Sequence, residues 1–436
     1  MKKSVFFLAF AFVSFNLAGC GSKSKKTTPT PSTSGLATRV FASQGVNSLT
    51  ANPGLVIING EFDILAHAAP ISAGVAPGYM EISPSRATLM VFDSATNNID
   101  VVNTEKESVS GTIALPGPTV SMVAVSNSTG YVAVPSAPVI GYPLGALEAL
   151  NLAANSITAS IPVPSARYVV SNSGGSQLLV FSDDSDSLTV VSPLLLNTGS
   201  PVTTVVAGFD RPVWAVFSAD GNTAYVLNCG PQCGGTQASV QTLDTKTLAL
   251  GTPIPVDAAT IALLSGSTLY VVGTPATNNT CAGEVTAAKT CGRLDVVDLN
   301  SRSVTRHVVI ADGYHDRIDL SSNGQLFIGS YACTNIGNVN AENRSGEIRG
   351  CLSIYNTSIP GNPSAIIPPD NGDVTGFQGF TTRYVEYVAE GGNLRVYDTQ
   401  TDSLLINDYT GNGEITLDGT IIITGQVIDV KAPDVI

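Results

Sequence analysis

Apolar residues fall in runs of four to six positions down this chain, separated by clusters of Ser, Asn, Asp and Gly. Helix-period patterns of useful length are absent. Short apolar runs with turn residues between them predict strands. Between Val120 and Ile161 the pattern predicts strands at Met122–Val125, Tyr131–Val134, Leu147–Leu150 and Ile157–Ile161, with turns at 126–130 and at Asn151. One five-residue pattern recurs: apolar, variable, apolar, apolar, small polar. It stands at Leu55–Asn59, Ile99–Asn103, Leu147–Asn151, Leu188–Ser192, Val240–Asp244, Leu294–Asp298, Leu352–Asn356 and Leu394–Asp398. Successive copies lie 41 to 58 residues apart, and self-similarity at that period marks a repeat architecture.

Each repeat reads as four short antiparallel strands, so the fold class is all-β. Ser83, Ser171, Ser218, Ser265 and Ser321 open the first turn of their units. Asp220-Gly221, Asn323-Gly324 and Ser173-Gly174-Gly175 supply residues that tolerate positive φ there. The polar residue closing the five-residue motif can fold its side chain onto the backbone ahead, an Asx-type turn into the fourth strand. Four-strand units at this period resemble β-propeller blades, in particular those of the family named for its Tyr-Val-Thr-Asn (YVTN) repeat. Tyr225-Val226-Leu227-Asn228 comes closest to that tetrapeptide, and Ser218-Ala219-Asp220-Gly221 stands where the family has Ser-Pro-Asp-Gly. The resemblance covers about residues 39–436, carried by the ordered series rather than by any one motif. Ser83-Pro84-Ser85-Arg86 lacks the Gly, and Phe380 to Arg383 offers no recognisable turn. A parallel β-helix would need much shorter coils.

The ends of the repeat array set the blade count. The first copy has strands at Arg39–Ser43, Leu55–Ile58 and Ile64–Ala68 but no innermost strand before them. The C-terminal region offers a lone candidate, Gln426–Val430. Joining the N- and C-terminal segments completes one blade and hides the edges that an open ring would expose. The count is then eight, or seven if the irregular stretch 374–410 makes no blade of its own. Repetition makes residues 39–436 a single propeller domain, although about 400 residues would otherwise suggest two or three domains.

The first forty residues read differently. Lys2 and Lys3 form a basic n-region, and Val5 to Phe15 is an apolar run of signal-peptide length. Leu17-Ala18-Gly19-Cys20 resembles the lipobox of bacterial lipoproteins, which implies removal of residues 1–19 and lipidation of Cys20. Residues 20–38 then form a lipidated Cys and a tether rich in Ser, Thr, Pro and Lys, too poor in apolar side chains to offset its ordering entropy. Such a tether reaches about 23 Å. Gly at position 21, where Asp would imply inner-membrane retention, implies the outer membrane by the same resemblance. The expected location is therefore the cell envelope, with the membrane reached through a lipid anchor. No second apolar run is long enough to span a bilayer. The formal charge of −13 becomes −15 without Lys2 and Lys3, and no basic cluster follows the tether. That balance argues against nucleic acid as a partner.

Cysteines and the few chemistry-bearing residues then point to one face of the disc. Besides Cys20, six cysteines remain, and in an exported protein an even number implies disulfides, with fifteen connectivities open. Each adjacent pair, Cys229/Cys233, Cys281/Cys291 and Cys333/Cys351, falls in the loop between the second and third strands of consecutive blades. Three local bridges are predicted. Closing the longer two loops should contribute about 3 kcal/mol each. A cysteine zinc site fails on spacing, since Cys-x3-Cys stands without a nearby His pair. The polar insert 334–350 lies in the same slot. This face also carries the links into the innermost strands, whose first residues should gather at a central funnel: Tyr79, Arg167, Arg211, Trp214, His315, Asp316 and Arg317. Such a set suits an anionic or planar ligand. Alternatively the arginines pair with Asp210, Asp316 or Asp319, and Trp214 fills space between blades.

The histidines are His67, His307 and His315, none in a His-Glu-x-x-His arrangement, and no nucleophile elbow, phosphate loop or dinucleotide fingerprint occurs. The acidic turns Ser182–Asp186 and Asp370–Asp373 lack the spacing of a calcium loop and read as solvated turns. No metal or cofactor is expected. The sequence thus points to a non-catalytic binding or scaffold module for an envelope protein, peptide or glycan. The alternative is a hydrolase or lyase with its site at the funnel and His315 as base. Replacing Cys20 by Ser should move the protein from the membrane fraction to the soluble fraction and abolish labelling by a fatty-acid probe. A Cys20→Ser chain that stays labelled would rule out this anchor.

Overall fold

The computed structural model describes residues 33–45, 54–276, 291–334, 350–359, 361, 364–368, 372–380, 383–399 and 417–434. Cys20 and its signal segment, the tether up to residue 32, Cys281, residues 335–349 of the polar insert, Asp370, Asn371 and the stretch 400–416 lie outside the described residues.

Eight antiparallel sheets form a ring. We number the blades by their innermost strands: Pro77–Ile82 (blade 1), Ser121–Ala124 (2), Ala166–Ser171 (3), Pro212–Phe217 (4), Ile261–Ser265 (5), Tyr314–Leu320 (6), Val374–Phe380 (7) and Gln426–Lys431 (8). Seven sheets have four strands and blade 6 has three, with an isolated bridge between Ile354 and Ile366 in the fourth place. The region 374–410, which left the count open, supplies blade 7 through Val374–Phe380, Val385–Glu390 and Asn393–Asp398, with Leu417–Ile421 outermost. The turn without a recognisable motif is closed by Tyr384 at φ 55°. Among the described residues there is no α-helix.

The recurrent motif occupies the third strand of every blade. Its apolar density follows from burial on both faces. In blade 1, Val102 packs toward Phe41 and Ile57 of blade 8, while Ile99 and Val101 pack toward Val132 and Val134 of blade 2. The core is therefore a ring of blade-on-blade contacts, which selects apolar residues on both sides of the middle strands instead of strict alternation. The closing polar residue does turn back onto the backbone. Asn59 accepts from the N–H of Glu61 (2.9 Å), Asn103 from Lys106 (2.8 Å), and Asn151 from Ala153 and Ala154 (3.1 and 2.9 Å). Asp244, Asp298 and Asn356 do the same at 2.7–3.0 Å. At the first turn, the hydroxyls of Ser83, Ser218 and Ser321 accept the N–H that closes the hairpin. In blade 3 this falls to Asn172, one position after Ser171.

Both chain ends build blade 8. Arg39–Gly45 pairs with Gln426–Lys431 in the register Phe41↔Lys431, and Gly54–Asn59 and Ile64–Leu65 complete the sheet. The Arg39 guanidinium binds Asp434 (2.7 Å), Glu107 (3.1 Å) and the carbonyl of Thr104 (2.7 Å). Arg383 of blade 7 binds Asp63 of blade 8 (2.7 Å).

Buried carboxyls, Glu386 and Glu390 among them, set a pH dependence. Glu386 is fully buried and faces Asp319. Burial, and then Asp319, holds it well above the usual carboxylate range. Burial pushes Glu390 up to about 7, although Tyr397 and Arg395 pull it down. A carboxyl raised in the fold stays protonated while the unfolded chain ionises, so its contribution is lost as pH climbs from the unfolded value of about 4.5 toward the folded one. Asp244 and Asp298, held low by turn hydrogen bonds led by Thr247 and Asn300, act oppositely and only at more acid pH. Thermal stability should therefore fall between about pH 4.5 and 7. Glu386→Gln should flatten that fall and stabilise the protein above pH 7 by on the order of 1–3 kcal/mol. A profile unchanged by the substitution would exclude this origin.

Candidate functional site

Each innermost strand starts at the face that carries the loops between second and third strands and runs through the ring. Side chains alternate along it, but six of these strands slip register near their start, between Pro77 and Met80, Ala166 and Tyr168, Pro212 and Trp214, His315 and Arg317, Val374 and Gly376, and Val427 and Asp429. A bulge adds one residue and re-aims its side chain. Consecutive residues then face the axis: Arg167 with Tyr168, Val213 with Trp214, Asp316 with Arg317. Together they line a central cavity of about 370 Å³.

Aromatic rings form much of the wall. Tyr168 meets Trp214 edge-on (centroids 6.0 Å, planes at 79°), its hydroxyl lies 3.4 Å from that of Tyr314, and Tyr314 stacks obliquely on Tyr331 at 5.3 Å. The Arg317 guanidinium sits 4.6 Å over the Tyr79 ring and donates to the carbonyl of Thr375 (2.8 Å), so it also ties blade 6 to blade 7. Asp316 pairs with Arg317 at 3.1 Å. Arg167 lies over Tyr168 at 5.6 Å and meets Asp183 at 3.5 Å, with both partners of that ion pair exposed. The charged lining is balanced, with Arg167, Arg317 and Lys431 against Glu81, Asp316 and Asp429. Burial raises Tyr79 and Tyr314 and pushes Tyr331 up to about 12, which keeps all three as hydroxyl donors. Burial also pushes Glu81 up to about 7 against the pull of Lys431.

The cavity thus brings together Tyr79, Arg167, Trp214, Asp316 and Arg317. Trp214 packs between blades as well. Arg211 lies in an adjoining cleft of about 250 Å³. It pairs with Asp186 (3.6 Å) instead of Asp210, which is taken by the backbone N–H groups of Thr236 and Gln237. The acidic turn 182–186 is therefore the counter-charge of Arg167 and Arg211. His315 does not reach the cavity. It sits on the far side of the bulge, fully buried, with Nε2 3.0 Å from the carbonyl of Ala311, while the Thr260 hydroxyl donates to its carbonyl. Burial lowers it to about 4, which keeps the imidazole neutral in its packed position.

Sequence reasoning missed Tyr168, Tyr314 and Tyr331, and also Glu81, Asp429 and Lys431. Period two from Tyr79 would have found Glu81, and from Asp316 would have found Tyr314. On the same face, Cys229–Cys233 and Cys333–Cys351 are bridged as expected. Cys291 is disulfide-bonded.

No protein-family model matches this chain, and no curated protein matches it. Among solved structures it is similar to dihydro-heme d1 dehydrogenase NirN in complex with DHE, at 15% identity over 84% of this chain and 71% of that one, with a TM-score of 0.52. It is also similar to hydrazine synthase of Kuenenia stuttgartiensis, at 15% identity over 79% and 85% of the two chains, with a TM-score of 0.47. At such identity the NirN likeness shows a shared propeller fold and nothing finer. His315→Ala should destabilise the protein by on the order of 2–4 kcal/mol in denaturant titrations, as expected for a buried side chain lost with its hydrogen bonds. A variant as stable as the parent would contradict this placement.

Proposed function

We propose that this chain is an exported, lipid-anchored propeller of the YVTN-repeat type, placed at the outer membrane, that binds a peptide or glycan at the mouth of its central cavity. One observation carries the reading: bulged inner strands line a single cavity with phenols, an indole and matched Arg–Asp pairs. Aromatic faces stack on sugar rings or peptide side chains, while fixed donors and acceptors orient them. The cavity size suits a small ligand or the end of a longer one. Because acids face the bases, the site favours a polar ligand without strong net charge, whereas the arginines counted alone suggest an anion. The disulfide-clipped loops on the same face would hold the rim of the site.

A second reading keeps the enzyme class through a different residue. Glu81, raised to about 7, lines the cavity and would be the acid or base of a hydrolase or lyase there. Glycan and peptide arrays followed by calorimetry test the binding reading. The double variant Arg167→Ala/Tyr168→Ala should lose at least about tenfold in affinity, or about 1.4 kcal/mol. Unchanged binding would remove the site from the cavity. Turnover of the bound ligand, abolished by Glu81→Gln, would favour the enzyme.

A further inference from the structure

A separate cluster sits on the outer half of blade 5. Asp295, in the third strand Gly292–Asp298, stands directly opposite His307, in the fourth strand Ser303–Ile310. Asp257, from the link between blades 4 and 5, closes the group. His307 Nδ1 lies 2.6 Å from Asp295 Oδ1 and 3.1 Å from Asp257 Oδ2, and the donor atoms of the three residues lie within 4.8 Å of one another. We propose that Asp257, Asp295 and His307 bind a divalent transition-metal ion, with zinc as the best match.

The donor set and its geometry carry the proposal. One imidazole nitrogen and two carboxylate oxygens suit zinc, whose ligands stand about 2.0–2.2 Å from the ion, and so roughly 3.3–3.6 Å from one another in a tetrahedron. The present spacings need adjustments of about 1 Å or so to reach that shape. Asp295 is wholly buried on a rigid strand, and its Oδ2 accepts the backbone N–H of Asp257 at 2.6 Å. That bond fixes the carboxylate with Oδ1 toward the imidazole, the kind of outer contact that orients a metal ligand. The His307 side chain is 56% exposed, which leaves an approach for the ion and a fourth position for water. Arg293, with Nε 3.6 Å from Asp257 Oδ2, neutralises part of the negative charge and must give way when the ion enters.

The same distances suit a plain hydrogen-bonded clamp, so the test must separate the two. Chelator-treated full-length protein is titrated with zinc chloride by calorimetry, and its thermal unfolding is followed with and without the metal. The expected result is one ion bound per chain and a higher unfolding temperature with zinc. His307→Ala should weaken binding by at least about tenfold, and Arg293→Gln should tighten it. Cobalt(II) should give the visible absorption of a tetrahedral site in the parent and not in His307→Ala. Because His307 is half exposed, that variant decides the matter even if Asp295→Asn fails to fold. The proposal falls if zinc leaves the unfolding temperature unchanged, or if His307→Ala keeps full affinity. It falls equally if that substitution lowers stability by the same amount with and without the ion, the signature of a clamp.

Discussion

Closure of the ring depends on five residue pairs between Arg39–Gly45 and Gln426–Lys431, segments from opposite ends of the chain. Every other blade is local in sequence, and its strands can pair as the chain folds back on itself. Blade 8 instead joins two halves more than 380 residues apart, so its pairing carries the largest loop-closure cost in the ring. The closing strand also builds the site. Asp429 takes the N–H of Met80 (2.9 Å) and receives Lys431 (3.5 Å), so the cavity wall of blade 1 is positioned by the last strand of the molecule. Unpaired, the same strands would present two open edges and an incomplete cavity.

The fold was legible because its constraints act on single segments. Two-sided burial writes itself into each third strand as dense apolar positions, and the Asx turn at Asn59, Asn103, Asn151, Asp244, Asp298 and Asn356 writes itself as one polar residue at a fixed place. The closure was readable from a missing inner strand at one end and a spare one at the other. The site was only partly legible, for a definite reason. In a strand, facing reverses at every residue, so a single inserted position decides which side chain meets the axis. The slip at Asp316 turns His315 away and brings Asp316 and Arg317 in together. Nothing local in Tyr-His-Asp-Arg announces it. The Asp257, Asp295 and His307 group was illegible for another reason. Its members are 38 and 12 residues apart, and only the pairing of two outer strands with an inter-blade link unites them.

The bulges exchange regular pairing for chemistry. A regular inner strand offers the axis one side chain in two, and eight such strands crowd a narrow space. Slipping the register where most of these strands enter the ring widens the choice at one end of the cavity and leaves the rest paired. Tyr79, Arg167, Tyr168, Tyr314, Asp316 and Arg317 sit there, while lower in the same channel Glu81, Leu263, Ile318 and Lys431 line the wall. Matched charges within the lining keep the burial cost of each ion down, since every buried cation has an acid within reach.

Strand direction carries one more consequence. Arg39–Gly45 runs antiparallel to Gln426–Lys431, so Arg39 lies at the end of the ring where the inner strands finish, beside Asp434 and Glu107. The polypeptide therefore enters the disc from its underside. The entry of the chain and the mouth of the cavity, with its tyrosines and arginines, thus lie on opposite faces of the disc.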